Sequence, residues 1–591
     1  MERSAVKHHA YDTYCYPLDS NKLRLTIQTG KDIQKVTLIW GDPFLADKIG
    51  DKWKWRCQHL PLTECRETQN HFLWSVTVEP PFKRARYYFE LSDGNESKYF
   101  FEDGFFDVNE KSPEEHVQFI FPWMNSADIS EVPEWASSTV WYQIFPARFA
   151  HGENPCDSHT LLPWAGPEKK VRNEERYGGN LRGITEHLDY LEKLGVNGLY
   201  LNPVNLSDSQ HKYDTIDYLQ IDPEFGNRED MIELVKKAHE HGMKVMLDGV
   251  FNHSGWNFFA WLDVVKNREN SRYKDWYIIN DFSFKDHPGD GAASGKFYSF
   301  ALTDYMPKLN TNNPEVRKYI IDVCTSWVKD YDIDALRLDV ANEISHKLCK
   351  ELRDAMRALK KDFFIVGEIW NHAMPWLRGD EFDSVINYPL RTAITDFSET
   401  ENLPAKYLEE QLNHCLTLYY EQNERAMINQ LDSHDTLRLV TKVKGDRDKA
   451  LQEFALLFMM PGSTCIYYGT EVLLEGEHDP DCRRCMPWKE IAEGRYTKEL
   501  ALFEGLIALR KTHPSLRSME THFVYDEYAD EKSRLVQLKR SDCKSGDQLY
   551  FVANFSNAPE KVPAPLSEKK ILLSNLLQDN VILPKGFIVV S

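Results

Sequence analysis

Eight short apolar runs between Val140 and Glu471 each carry a polar or charged residue toward the carboxyl end, and three of those ends supply acids: Asp339, Glu368 and Asp435. The runs are VWYQIF (140–145), VNGLYLNPV (196–204), KVMLDGVFNH (244–253), IDALRLDVAN (333–342), FFIVGEIW (363–370), FDSVINY (382–388), AMINQLDSHD (426–435) and STCIYYGTE (463–471). Most are separated by segments with helical spacing. NLRGITEHLDYLEKLG, REDMIELVKKAHEHG and NPEVRKYIIDVCTSWVKDY carry apolar residues at three- and four-residue intervals, the pattern of a helix laid on a sheet. The first two stop at Gly195 and Gly242. The third opens with Asn313 as N-cap and Pro314 at the first helical position, where its missing N–H costs nothing. This alternation predicts an α/β centre folded as a (β/α)8 barrel, in which every strand points its carboxyl end at one rim and assembles residues far apart in sequence.

At 591 residues the chain is too long for one core, and three domains are expected. Up to Met124, runs such as VTLIWGDPF, HFLWSVTVE and ARYYFELSDGN are broken by Gly-Asp and Asp-Gly turns, which predicts a β-sandwich over 1–124. Its aromatic residues suit packing, carbohydrate binding or subunit contact. The linker MNSADISEVPEWASS leads into a barrel over 125–512, interrupted at about 254–312 by an insertion too long for a simple connection. Short strands return over 513–591, predicting a closing all-β domain.

The net charge of −21, with no basic run, argues against nucleic acid, whose binding relies on clustered Lys and Arg. The N-terminal stretch has no apolar signal segment and no run approaches the roughly 20 apolar residues of a membrane span, so the expectation is a cytoplasmic protein with no membrane partner. Eleven scattered cysteines fit reduced thiols better than a disulfide framework. The close pair Cys482 and Cys485 lacks further zinc ligands at suitable spacing, so no metal site is assigned.

Arg337 and Asp339 stand two apart on one predicted strand and project to the same side. A guanidinium there is expected to lower the Asp339 pKa and keep it ionised, as suits a nucleophile. Glu368, after FFIVG and before Ile369 and Trp370, is expected to be buried and raised in pKa, as suits a proton donor. Two carboxyl groups in opposed environments are what glycoside hydrolysis needs. Asp435 with His434 ends the seventh run, and Asp248 with Asn252 and His253 ends the third. Each pair taken singly suits a structural hydrogen bond equally well; together on one rim they are hard to assign to packing.

LDGVFNH, ALRLDVANE, GEIW and DSHD resemble, in order, the four signature regions of glycoside hydrolase family 13, the α-amylase family, and MPKLN (306–310) resembles a fifth. VANE, MPKLN, VWYQIFPARFAHG and HDPDCRRCMPW are similar to the neopullulanase, cyclomaltodextrinase and maltogenic amylase subgroup. The resemblance implies a TIM barrel with an inserted B domain and a retaining α-glucan hydrolase. Its substrates would be cyclodextrins, pullulan, starch and maltooligosaccharides, with transglycosylation. Carried over by motif, Asp339 would be the nucleophile, Glu368 the acid/base, and Asp435 the acid that holds and distorts the sugar. His253, Arg337 and His434 would bind the same glucose, with Tyr213 stacking on it and Asp214 supporting it. Glu343 and Trp370 would line the acceptor side, and Asp479 and Arg483 would contact the next glucose.

The subgroup also implies a homodimer in which one N-terminal domain helps cover its partner's active site. No cofactor is required by this reading. Several relatives hold calcium near the start of the barrel, but the matching stretch here is His151, Gly152, Glu153, Asn154 and then Asn180, poor in carboxylates, and calcium is not predicted. The competing expectations are an exo-acting α-glucosidase or oligo-1,6-glucosidase of the same family, and a catalytically silent glucan-binding barrel. The second would be expected to lack one of the acids.

Overall fold

The computed structural model describes residues 1–109, 115–154, 159–524 and 532–591. All eight runs contribute to one parallel sheet: β1 (Val140–Ile144), β2 (Gly198–Leu201), β3 (Lys244–Gly249), β4 (Ala335–Leu338), β5 (Phe364–Gly367), β6 (Ser384–Val385), β7 (Ile428–Asn429) and β8 (Ser463–Tyr467). The order is β6-β5-β4-β3-β2-β1-β8-β7, and a parallel bridge from Ile386 to Ile428 closes it into a barrel. β1, β2, β4, β5 and β8 are buried along their whole length, as a parallel sheet covered on both faces requires.

Side-chain alternation then divides the core. Trp141, Tyr200, Met246, Ala335, Phe364, Val366, Ile428 and Cys465 pack together as one inner cluster. Two residues further along β3 and β4, at the same parity, come Asp248 and Arg337, so the barrel interior changes from apolar to charged toward the carboxyl ends of the strands. The opposite faces pack on helices through Leu188, Leu191, Met231, Leu234, Val316, Ile320 and Trp327.

Two expectations need correction. The helix predicted over 180–195 is two helices, α1 (Leu181–Glu186) and α2 (Leu188–Leu194). His187 separates them because its ring Nδ1 sits 2.7 Å from the Gly183 carbonyl, the group an unbroken helix would offer to the His187 N–H. The runs also overstate the strands: β6 and β7 hold two residues each, and the polar ends of the runs lie in loops beyond the sheet. Other signals hold as read. The helix Pro314–Tyr331 starts with the Asn313 side chain accepting the Glu315 N–H, and Gly195 ends α2 at φ 98°, a backbone state glycine adopts without strain.

Between β2 and the following helix lies an unforeseen hairpin, Asn205–Ser207 with Thr215–Ile221, which carries Tyr213 and Asp214 to the rim. After β3 the insertion is built around buried Trp261, packed on Tyr277, Phe284 and Phe297, and is tied to the barrel by the His253–Lys308 bridge. Ahead of the barrel two antiparallel sheets face each other across Leu25, Ile27, Val36, Leu38, Tyr87 and Phe89. From this unit the hairpin Ala46–Ile49 and Lys52–Trp55 projects with Ile49 and Trp53 exposed. The chain ends in an antiparallel sheet built on Leu535–Asp542, Asp547–Asn554 and Val581–Val590.

Candidate active site

Arg337 is 2% exposed and sits on β4 between three acids. Its Nη1 lies 2.7 Å from Asp248 Oδ1 and 2.8 Å from Asp339 Oδ1, and its Nη2 lies 2.9 Å from Glu368 Oε2. One positive charge therefore faces three carboxyl groups away from bulk water. This overturns the expectation for Asp339: burial, aided by the charges of Glu368 and Asp248, pushes its pKa well up, and Arg337 only opposes this. Asp248 is likewise pushed up to about 6, first by burial, against the pull of Arg337. Two tyrosine hydroxyls donate to Asp248 Oδ2, Tyr200 at 3.1 Å and Tyr213 at 3.0 Å.

Glu368 follows β5 by one residue and is buried as expected. Its Oε2 also accepts the Val340 N–H at 3.0 Å, while Oε1 accepts from Trp370 Nε1 at 3.2 Å. Trp370 lies face to face on Tyr388, ring centroids 3.7 Å apart and planes 12° from parallel. Val340 itself adopts φ 45°, ψ 44°, a left-handed state that a β-branched residue rarely takes. Such strain costs on the order of 1–3 kcal/mol and persists where the surroundings over-determine it.

Asp435 stands at the cleft wall with about a third (34%) of its side chain open and protein packed densely behind it. That packing pushes its carboxyl up, against the pull of Arg483 and Arg337. His434, next to it, is buried, with Nε2 3.1 Å from Asp435 Oδ2 and 2.6 Å from the Tyr213 hydroxyl. Burial, reinforced by Arg483 and Arg337, holds this imidazole well below its usual range.

The fold thus gathers Asp339, Glu368, Asp435, Arg337, His434, Tyr213 and Trp370 in one connected network. Arg483 joins at the edge, its Nη2 3.6 Å from Asp435 and its Nη1 2.8 Å from Asp479. Three expected residues attach less directly. Glu343 is paired with Lys308 at 2.8 Å. His253 places Nε2 3.1 Å from the Tyr213 carbonyl and stacks on Phe300, with burial lowering its pKa to about 3. Asp214 accepts from the Ser207 and Ser209 hydroxyls and so braces the hairpin loop.

Residues that sequence reasoning missed are Asp248 as a partner of Arg337, Tyr200, Tyr388 and Lys308. Asp248 was visible as an acid at a strand end. The tyrosines gave no signal, because in sequence they read as strand or helix core. Cys482, half of the close cysteine pair, is buried with its sulfur 3.0 Å from the His434 carbonyl, a packing contact that also fixes the histidine backbone.

Residues 143–518 match the family described as the catalytic domain of alpha amylase, and residues 1–125 match its N-terminal ig-like domain. The chain is 40% identical over 581 residues to a cyclomaltodextrinase of Geobacillus thermopakistaniensis, covering 98% of this chain and 95% of that one. It is 42% identical to an intracellular maltogenic amylase of Bacillus subtilis, over 92% of this chain and 89% of the relative. A solved structure of a cyclomaltodextrinase superposes with a TM-score of 0.89 at 34% identity, covering 100% of both chains. With an acid cluster at the carboxyl rim of a closed barrel and these likenesses over nearly its whole length, the chain belongs to the α-amylase family, glycoside hydrolase family 13, and is a glycoside hydrolase.

Proposed function

We propose that the protein cleaves α-1,4 and some α-1,6 glucosidic bonds of cyclodextrins, pullulan, starch and maltooligosaccharides with retention of configuration, and transfers glycosyl units to sugar acceptors when these are abundant. The observation that carries this reading is the bridging of Asp339 and Glu368 by the one guanidinium of Arg337. Retaining hydrolysis needs its two carboxyl groups about 5–5.5 Å apart, and a shared guanidinium draws them side by side. The relatives named cyclomaltodextrinase and maltogenic amylase support the substrate class.

In the first step Glu368 gives its proton to the glycosidic oxygen as that bond breaks, and Asp339 bonds to the anomeric carbon. In the second, the Glu368 carboxylate takes a proton from water, whose oxygen bonds to the same carbon and releases Asp339. Burial, with the charges of Glu368 and Asp248, disfavours the ionised Asp339 carboxylate, and positive charge developing on the sugar ring would relieve this as the bond forms. Asp435 holds hydroxyls of the same glucose and favours its distortion. Arg337, His434 and His253 bind that sugar, Tyr213 stacks on it and Asp214 supports the loop. Trp370 and Glu343 line the acceptor side, and Asp479 and Arg483 meet the next glucose.

No metal enters these steps. Among the described residues of the stretch where relatives hold calcium, Asn180 spends its side chain on Gly152, Gly178 and Gly183, and Asn154 donates its amide to the Pro223 and Glu224 carbonyls. The nearby acids Asp222 and Glu224 are held by Lys212, at 2.7 and 2.9 Å. Lys212 already compensates these two carboxylates, which leaves less negative charge there to hold a hard cation.

The working form in this reading is a homodimer. Phe44, Ile49 and Trp53 on the N-terminal unit are 77%, 61% and 71% exposed, an apolar group suited to a second copy's cleft. No helix among the described residues is long and apolar enough to cross a membrane, and likeness to a relative named intracellular supports a place in the cytoplasm.

Incubation with β-cyclodextrin, pullulan and soluble starch, with products resolved against maltose, panose and glucose, tests the assignment. Opening of cyclodextrin with panose from pullulan is expected. Glucose from short maltosides with no action on either polymer or ring would replace it with the exo-glucosidase reading, and no product from any substrate would restore the silent barrel.

A further inference from the structure

Gln143 lies on β1, 1% exposed, and its side chain reaches the face of His434 turned away from Asp435. Its amide nitrogen is 2.8 Å from His434 Nδ1 and 3.3 Å from Asn202 Oδ1, while its oxygen has no hydrogen-bond partner. A buried histidine more often gives Nδ1–H to a backbone carbonyl or a carboxylate, which leaves Nε2 bare. Here Nδ1 faces a donor.

We propose that Gln143 is a positioning residue that holds His434 as the neutral Nε2–H tautomer, so that the imidazole serves only as a hydrogen-bond donor toward Asp435 and the sugar beside it. The surrounding network accepts only this orientation. With the Gln143 amide N–H on Nδ1, the imidazole proton sits on Nε2 and points at the Tyr213 oxygen and Asp435 Oδ2. Tyr213 then gives its own proton to Asp248 Oδ2, takes one from Asn202 Nδ2 at 3.0 Å, and has a lone pair left for His434 Nε2–H. Each of these hydrogen bonds then joins a donor hydrogen to an acceptor.

The reverse arrangement fails on the same atoms. Turning the Gln143 oxygen onto Nδ1 sets it against Asn202 Oδ1, so Asn202 must turn as well. The single Tyr213 O–H would then face three acceptors, Asn202 Oδ1, His434 Nε2 and Asp248 Oδ2, while Asp435 Oδ2 would face a bare ring nitrogen. One unpaired Gln143 oxygen costs less than that set of opposed lone pairs.

The catalytic consequence rests on the proposed hydrolase reading, but the tautomer does not, and the experiment separates them. Full-length protein labelled with 15N-imidazole histidine, without ligand, is expected to show His434 protonated at Nε2, its signal identified by its loss in His434→Asn. Gln143→Met keeps the side-chain bulk without the donor and is expected to give a tautomer mixture. Gln143→Glu places a carboxylate on Nδ1 and is expected to move the proton there, because an ionised carboxylate can only accept, and a wrong tautomer leaves the geometry intact while removing the function. Its kcat should fall about a hundredfold near neutral pH, the loss expected of a misdirected group. Activity should then return as pH falls, because a protonated carboxyl can again donate to Nδ1. A wild-type spectrum with Nδ1–H, or a Gln143→Glu variant whose spectrum and acid-limb pH profile match the wild type, would overturn the assignment.

Discussion

Arg337 Nη2 lies 2.9 Å from Glu368 Oε2, just past the end of the neighbouring strand, while its Nη1 holds Asp339, one residue beyond the end of its own strand. The charge that steadies the candidate nucleophile therefore also steadies the candidate acid. Neither carboxyl group can move without changing what the other feels, and the pair behaves as a unit rather than as two independent groups.

Asp339→Asn and Glu368→Gln should each lower turnover of a maltooligosaccharide by on the order of 10⁴-fold or more, and the double variant by little beyond either single change, as for residues acting together. Circular dichroism should stay that of the wild type. Thermal midpoints should hold or rise, because each change removes a carboxylate crowded around one guanidinium. Full turnover by either variant would refute the roles given to these acids.

Val340 separates stability from function. Val340→Gly relieves the φ of 45° and should raise stability by about 1 kcal/mol in denaturant unfolding. It should also lower kcat, because the Val340 N–H that fixes Glu368 Oε2 is then on a freer backbone. A gain in stability with unchanged kcat would show that the strained backbone does not position Glu368.

Lys308 ties the inserted segment to the acceptor side through Glu343, a pair 16% and 46% exposed at its two side chains. Lys308→Met should cost only about 1 kcal/mol of stability, because the pair is partly solvated. It should nevertheless change the ratio of transfer product to hydrolysis product, read by chromatography at high maltose. An unchanged ratio would remove Glu343 from the acceptor side.

Glu453 is fully buried, accepts one hydrogen bond from the Ser398 hydroxyl, and is pushed up to about 8 by desolvation. A carboxyl whose folded pKa exceeds its unfolded value binds its proton more tightly when folded. Stability is therefore greatest below the unfolded value near 4.5 and declines until pH passes about 8. Glu453→Gln should remove this decline, worth about 5 kcal/mol over the window. The difference in thermal midpoint, variant minus wild type, should rise from pH 5 to pH 8; a flat difference would place no proton on Glu453.

Much of this could be read from the chain alone because the governing patterns are local. Strand runs, helix periodicity and caps at Asn313 and Gly195 depend on neighbours in sequence, and the barrel follows from their alternation. The acids at strand ends were legible for the same reason: a polar residue closing an apolar run has one rim to occupy. The break at His187 was not legible, because it depends on a side chain competing for a carbonyl one turn away.

The sequence by itself determined the family, the α/β barrel and the identity of the three candidate acids, since motif order and periodicity are written along the chain. Only the tertiary structure decided how those acids are charged. Arg337 beside Asp339 suggested a lowered pKa, but folding also brought Glu368 and Asp248 to the same guanidinium and shut out water. Electrostatic energy depends on every charge within reach and on the medium between them, and distance along the chain records neither.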